Sequence, residues 1–349
     1  MSGLRLLRFC IGSMLAAALP REPPSGRRHL PPYNPVVKVF RRLPPPDQRL
    51  PCALTIGNFD GVHRGHQALV SGLVADARLH GLISCVLTFE PHPREYFAKS
   101  GLEPVRITNL RDKLEALAAL QVDRVCVAHF GQSLAATSAQ DFISGILIEG
   151  LHTRRLLIGD DFRFGARRSG DFALLREKGP VLGMAVDAMQ TVTDQGHRVS
   201  SSLVREALRA ADFTRVRDLL GRPYRLSGRV IHGRQLGRDL GFPTLNLRFP
   251  HGRPALCGVF VVKVHGIASG DEALPGVASL GTRPAVEING RHLLEVHLLD
   301  WSGDAYGKLA RVEFLHKIRD EQDFDSLEAL SRKIAADAEA AREFFDACP

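Results

Sequence analysis

Short apolar runs alternate with helical spacing along the N-terminal part of the chain. "ALTIG" at 53–57 has the length of a strand. After it Leu69, Val70, Leu73, Val74 and Ala77 recur every three or four residues, which predicts a helix from Gly65 to about His80. The alternation continues through "SCVLTFEP" (strand), "LRDKLEALAAL" (helix), "DRVCVAHF" (strand), "SAQDFISGILIEG" (helix) and "RRLLIGDDF" (strand). Strands that are apolar on both faces and joined by helices predict a parallel sheet covered on both sides, an open α/β sandwich.

The pattern changes after "FTRVRDLLGRPY", a short helix ending at Gly221-Arg222-Pro223. From Leu226 to about Phe314 the runs are strand-like and separated by Gly and Pro, as in "LSGRVIHG", "CGVFVVKVHG", "LPGVASLG", "HLLEVHLLDW" and "KLARVEFLHKI". The next helical pattern is the amphipathic "SLEALSRKIAADAEAAREFFDA". A small antiparallel barrel or sandwich with one closing helix is expected. The chain then divides into a leader at 1–36, an α/β domain at 37–220 and a β domain at 221–349.

Composition changes this picture in one place. The net charge of +8 invites a nucleic-acid reading, but residues 1–45 hold eight Lys and Arg against the single acid Glu22. The rest of the chain carries 38 basic and 37 acidic groups and is close to neutral. The leader "MSGLRLLRFCIGSMLAAALPREPPSGRRHLPPYN" has the outline of a secretory signal, yet Arg8 interrupts its apolar stretch, and Pro, Gly and Arg dominate the residues beyond that stretch. A disordered basic extension is expected, and no membrane span. Cys10, Cys52, Cys85, Cys126, Cys257 and Cys348 form no CxxC pair, which suits free thiols in a reducing, cytoplasmic setting.

Candidate chemistry begins at Gly57-Asn58-Phe59-Asp60-Gly61-Val62-His63-Arg64-Gly65-His66. This stretch follows a predicted strand and opens a predicted helix, at the carboxyl edge where α/β sheets bind ligands. Free N–H groups and the helix dipole favour an anion there, imidazoles can donate to phosphate oxygens, and glycines allow close approach. Zinc ligation and a purely structural histidine pair are the alternatives; the His-x-x-x-His spacing and intervening Glu of zinc proteases are missing. "IGDDFRFGARRSGD" is a second strand end. Its Asp160 and Asp161 suit an exocyclic or ribityl group or Mg²⁺, or simply a solvated loop. "SSSLVREAL" sets Ser200, Ser201 and Ser202 at a helix start with Arg205 one turn inside, a second phosphate-binding end.

In the β domain, Gly233, Gly237 and Gly241 recur every four residues around Arg234 and Arg238, a basic loop able to fold over a polyphosphate without being a Walker A sequence. Thr244 and Asn246 are two apart on an extended segment, so their oxygens share a side; neutral oxygens completed by ATP phosphates and water suit Mg²⁺. In "HLLEVHLLDW", Leu294, Val296 and Leu298 line one strand face and place Glu295 and His297 on the other. Taken alone, Glu295 reads as a solvated outer-face acid.

Together, "TIGNFDGVHRGHQ", "LTFEPHP", "IGDDFRFG" and "SSSLVR" resemble the FMN adenylyltransferase module of the bacterial bifunctional riboflavin kinase/FAD synthetases. "GRVIHG", "LGFPTLN", "GVF", "SLGTRP", "LLEVHLLDW" and "YGKLARVEFLHKIRDEQDF" resemble their riboflavin kinase module, in order. The likeness covers about residues 37–345. It departs from the family at Ser202, where members read Thr, and at Ala285, where many have Thr after Arg-Pro.

The resemblance implies a Rossmann-like nucleotidyltransferase domain followed by a riboflavin kinase-like barrel. It implies two ATP-dependent reactions, riboflavin to FMN and FMN to FAD, with riboflavin, FMN, ATP and Mg²⁺ as partners. His63 and His66 would act electrostatically on ATP phosphates held by Gly57, Asn58, Phe59, Asp60, Gly61, Ser200, Ser201, Ser202 and Arg205. Thr244 and Asn246 would hold Mg²⁺·ATP under the loop of Gly233, Arg234, Gly237, Arg238 and Gly241, and Glu295 would be the general base. Asp160, Asp161, Phe162 and Arg163 would meet flavin in one site, Arg319 and Phe324 in the other. A monomer or weak homo-oligomer without nucleic-acid or membrane partners is expected. An enzyme with one surviving activity, and a flavin carrier or nucleic-acid binder using the leader, are the rivals; the near-neutral body and the lack of aromatics interleaved with basic residues weigh against the last.

Overall fold

The alternation of strand and helix folds into a parallel sheet. The structure is a computed structural model that describes residues 37–98, 105–159, 161–189, 193–194, 197–233, 237, 240–248, 253–268, 270, 272–281 and 293–347. The leader at 1–36 lies outside the described residues.

The N-terminal strands are β1 (Lys38–Phe40), β2 (Cys52–Ile56), β3 (Ile83–Glu90), β4 (Val105–Arg106), β5 (Arg124–His129), β6 (Thr153–Gly159), β7 (Arg163–Phe164), β8 (Gly170–Asp171), β9 (Ala185–Met189), β10 (Thr193–Asp194) and β11 (His197–Arg198). Six of them lie in the order β1-β5-β3-β2-β6-β9, all parallel. The winding reverses between β2 and β6, so the loops that follow these two strands meet at the crevice where doubly wound sheets bind ligands.

The helices are α1 (Arg64–Leu79), α2 (Pro93–Phe97), α3 (Leu110–Ala118), α4 (Gln132–Ala136), α5 (Ala139–Asp141), α6 (Phe172–Val181), α7 (Ser201–Arg209) and α8 (Phe213–Leu220). The expected register of α1 holds: Val70, Leu73, Val74 and Ala77 are its buried face. "SAQDFISGILIEG" is one turn of α-helix, α5, followed by a wider π-helix over Phe142–Gly150. The edge strands β1 and β9 and the short α2 were not expected; β1 and β9 are mostly exposed or half-buried and lack the apolar run that marks the inner strands.

The second half is a closed antiparallel barrel. Its strands β12 (Arg225–Ile231), β13 (Thr244–Arg248), β15 (Gly258–His265), β16 (Leu274–Leu280), β17 (Leu293–Leu298) and β18 (Leu309–Arg319) close in the order β12-β13-β17-β16-β15-β18; the two-residue β14 (Arg253–Pro254) stands outside the ring. Closure leaves no edge strand to pair with another chain. The helix Leu327–Ala347 caps one side, its Ala338 and Ala341 buried against Val261 and Leu299.

The two halves are stitched together. β14 pairs in parallel with β4, and one buried cluster runs from Ile107 and the α7–α8 residues Val204, Leu208 and Val216 to the barrel's Phe260 and Phe314. α3 faces the barrel with polar groups. Asn109 donates from Nδ2 to the Ser227 carbonyl at 2.8 Å, Asp112 accepts the Ser227 N–H at 3.1 Å, and Glu115 pairs with Arg311 at 3.1 Å. The buried Tyr224 hydroxyl donates to the Ile107 carbonyl at 2.8 Å. Contacts bind Asn34–Pro349 into one compact unit.

A Tyr224→Phe substitution leaves the Ile107 carbonyl buried without its donor, so unfolding stability should fall by about 1–3 kcal/mol, measured as a lower urea midpoint at unchanged slope.

Candidate functional site

The loop after β2 is tightly wound. Phe59, Gly61 and Val62 have φ of 48°, 84° and 40°, and only the glycine adopts that conformation without strain. A buried carboxylate holds the loop. Asp60 accepts the N–H groups of Ile107 and Thr108, each at 3.2 Å, and pairs with Arg205 of α7 at 2.6 Å. Arg205 also donates to the Val105 carbonyl at 2.7 Å. Asp60 and Arg205, both expected at ATP, thus neutralise each other and fix the loop to α7. The Phe59 ring is core, 1% exposed, so that residue presents only its main chain to a ligand.

Two helix starts meet at this loop. His63 is the N-cap of α1, and its Nδ1 accepts the His66 N–H at 3.3 Å. In the neutral ring the proton therefore sits on Nε2, a donor for a phosphate oxygen. The His63 and His66 rings stack at 3.7 Å, and the Phe59 edge meets His66 at 5.1 Å. Gly65 lets them approach closely: a Cβ there would sit 3.2 Å from the His63 ring and from the Val199 carbonyl, so one of them would have to shift. Ser200 caps α7, Ser201 donates to the Asp60 carbonyl at 2.9 Å, and Ser202 is exposed. Gly57 donates its N–H to Leu87 O, and the buried Oδ1 of Asn58 has no hydrogen-bond partner.

Burial lowers His63 to about 4, and the guanidinium groups of Arg198, Arg205 and Arg222 add to the effect against the opposing charge of Asp60. His66 is driven well below its ordinary value by burial and by His63. Both rings are neutral near pH 7 and act as N–H donors rather than as cations.

The loop after β6 carries fewer direct candidates. Asp161 forms an ion pair with Arg198 at 2.8 Å, Phe162 stacks on Phe164 at 5.7 Å, and Arg163 pairs with Asp171 at 2.9 Å. Asp160 lies outside the described residues.

Three features escaped the sequence reading. Arg198 joins this loop electrostatically to both histidines, and its place just before "VSSS" was the signal. Lys113 of α3 is 1% exposed, its pKa lowered by burial despite the charges of Glu90 and Asp60; its position four residues before the buried Leu117 marks it as inward-facing. Beyond β3, Tyr96 and Phe97 pack edge-to-face with Phe130, and Phe97 remains 67% exposed at the carboxyl edge of the sheet. An exposed flat ring there suits another flat ring.

The barrel presents a second site. Register sets Asn246 opposite Glu295 and Thr244 opposite His297, so all four share the face away from the buried Leu294, Val296 and Leu298. Asn246 is 5% exposed with its Oδ1 unpartnered, and a Cβ at Gly233 would overlap its carboxamide. The absence of that Cβ lets Gly233 lie directly on Asn246, and Gly237 closes against the Phe242 carbonyl. Gly241, at φ 86°, makes the return. His297 contacts the Pro243 carbonyl through Nδ1 at 3.0 Å. An orphaned carboxamide oxygen beside a hydroxyl and a carboxylate fits a hard cation.

Arg319 is bound to Asp337 of the terminal helix at 2.7 Å and lies over the Phe324 ring at 5.8 Å. Its guanidinium anchors the helix, and Phe324 is half-buried beneath it. Arg234, Arg238 and Ala285 lie outside the described residues. Among the described residues no cluster of three His, Cys, Asp or Glu is arranged for a metal, and no helix is long and apolar enough to cross a membrane.

Comparison with known proteins divides the chain at the same place. The FAD synthetase family model matches residues 46–203, and the riboflavin kinase family model matches 220–345. The bifunctional riboflavin kinase/FMN adenylyltransferase of Escherichia coli K12 is 48% identical over 294 residues, covering 84% of this chain and 93% of that one. That of Pseudomonas fluorescens is 48% identical over 291 residues, covering 83% and 92%. A solved structure from Streptococcus pneumoniae, described as a macrolide-efflux protein, superposes with a TM-score of 0.68 at 27% identity over 88% of this chain and 98% of that one.

The histidines make the fold acid-sensitive. His63, His66 and the α2 cap His92, which burial also lowers to about 4, are neutral when folded but titrate near 6.5 when unfolded. Between pH 6.5 and 4 the unfolded chain binds more protons, so stability falls as pH falls, on the order of 3 kcal/mol from His63 alone. Asp112, raised to about 6 by burial, works the other way, one group against three. Thermal midpoints should drop steadily over that range, and His92→Asn, which keeps a capping side chain, should make the decline shallower.

Proposed function

The chain belongs to the bifunctional riboflavin kinase/FMN adenylyltransferase family, and from that premise we propose how its residues divide the two reactions. The enzyme transfers the γ-phosphoryl group of ATP to riboflavin, giving FMN and ADP, and the adenylyl group of a second ATP to FMN, giving FAD and pyrophosphate. The α/β part, 37–220, performs the adenylylation and the barrel part, 221–349, the phosphorylation. The left-handed Gly221 that ends α8 supports that boundary.

The observation that carries the first assignment is the meeting of two helix N-termini, α1 and α7, around one loop. In this reaction the FMN phosphate is the nucleophile and is already ionised near pH 7, so no strong base is needed. Its oxygen bonds to the α-phosphorus of ATP as the bond to pyrophosphate breaks. The residues' task is to accommodate charge on the phosphates. The helix N–H groups, the Nε2–H of His63, the Ser202 hydroxyl and Arg198 are suited to it. Neutral histidines hold that role without adding repulsion among the neighbouring arginines. Exposed Phe97, with Tyr96 and Phe130, offers the isoalloxazine ring a stacking surface.

In the barrel, Glu295 accepts the proton of the riboflavin 5′-hydroxyl as that oxygen attacks the γ-phosphorus and ADP leaves. Thr244 and the unpartnered Asn246 Oδ1 would hold Mg²⁺ with ATP, beside Gly233. Bound there, Mg²⁺ would neutralise charge on the transferring phosphoryl group. Arg319, locked to Asp337, positions the segment leading to Phe324 beside flavin. The buried free thiols Cys52, Cys85 and Cys126 suit a reducing cytoplasm, where a monomer or weak homo-oligomer works without nucleic-acid or membrane partners.

Incubation with riboflavin, ATP and Mg²⁺, followed by separation of the flavins, should yield FMN and then FAD; FMN alone would overturn the adenylyltransferase assignment. Glu295→Ala should slow riboflavin phosphorylation by roughly 10²- to 10⁴-fold while leaving the adenylylation of added FMN intact. Loss of both activities, or of neither, would refute the division.

A further inference from the structure

The strained loop of the adenylylation site is gripped from outside its own domain. Arg222 lies two residues beyond the end of α8, in the segment that leads into β12 of the barrel. Its Nη2 donates to the Gly61 carbonyl at 2.7 Å, and its Nη1 donates to the Val62 carbonyl and to the Leu220 carbonyl, each at 3.1 Å. Gln67 of α1 repeats the bridge, its Nε2 donating to Val62 O at 2.8 Å and to Leu220 O at 2.7 Å. All the hydrogen bonds described for Arg222 go to main-chain carbonyls, and the side chain is half-buried. Such an arrangement fixes peptide orientation rather than balancing charge.

The peptides concerned matter to the reaction. Gly61 and Val62 are left-handed, Val62 against the preference of a β-branched residue, and His63 follows at once as the cap of α1. Turning the 61 and 62 carbonyls toward Arg222 sets the direction of the chain as it enters His63 and the first turn of α1. Asp60 holds the other side of the same loop through the Ile107 and Thr108 amides. Two opposed clamps, one from the α/β part and one from the segment entering the barrel, thereby define the loop.

We propose that Arg222 is a positioning residue for adenylyl transfer, supplied by the segment that opens the kinase barrel and acting on ATP through the Gly61–His63 main chain. The inference rests on the assignment of FMN adenylylation to this site. The guanidinium is needed because it presents several donors in one plane, which a lysine ammonium on a single stem does not reproduce.

The test uses the full-length chain with Arg222→Met and Arg222→Lys, assaying FAD formation from FMN and ATP alongside FMN formation from riboflavin and ATP. In Arg222→Met the kcat for FAD formation should fall about 10- to 100-fold with KM for ATP and for FMN each within about twofold, as expected for lost alignment rather than lost binding. Arg222→Lys should fall between this variant and the parent. Riboflavin phosphorylation should proceed at the parent rate in both, which also reports that the chain is folded. Parent kcat for FAD formation in Arg222→Met would overturn the proposal. So would a parallel loss of both activities in both variants, which would make Arg222 a general element of the fold. Failure of the unsubstituted protein to make FAD is a separate result, and sinks the adenylyltransferase assignment itself.

Discussion

The buried carboxylate of Asp60 is the point on which the sheet, the helices and the barrel converge. It sits in a left-handed loop, accepts two backbone N–H groups from the segment after β4, and pairs with Arg205 on α7. A buried carboxylate is tolerable only when such donors surround it. The same donors tie together a loop after β2, a strand that pairs with β14 of the barrel, and a helix packed on the barrel core. The α1 N-terminus can point at a ligand because this carboxylate keeps the loop from relaxing.

Around that anchor the buried charges are paired. Asp60, Glu90 and Glu95 are matched inside by Arg106, Arg205 and the deeply buried Lys113, with Arg106 bound to both glutamates. Beside them stand the two histidines, kept neutral by burial, and the exposed Arg198. The interior charges balance one another, and Arg198 is balanced by Asp161. Preorganised donors of this kind need little rearrangement as charge shifts during reaction.

Much of this was legible in the sequence, and the misses share one cause. The inner strands announced themselves because both of their faces are buried, whereas β1 and β9 are half-solvated and carry no continuous apolar run. Motif residues drew attention to loops that the structure brings together at the starts of α1 and α7. Their individual roles were less visible. Nothing in the sequence pairs Asp60 with Arg205, which the structure joins as one ion pair, and Arg319 finds its partner Asp337 eighteen residues on, in another element. A one-dimensional pattern shows that a charged residue is present, but the partner that consumes its charge is fixed by the tertiary structure. Lys113 is the extreme case: its spacing from Leu117 places it on the inner face of its helix, but only the acids gathered from other elements make its burial tolerable.

The pairing of β4 with β14 also bears on how the chain is made. Val105 and Arg106 wait for Arg253 and Pro254, which leave the ribosome well after them, on the order of 10–30 s at ordinary elongation rates. Through that interval Ile107 and the apolar faces of α7 and α8 lack the barrel residues that cover them. Until the barrel is made, the N-terminal half therefore exposes apolar surface that the completed chain covers, and exposed apolar surface of this kind favours association between partly made chains.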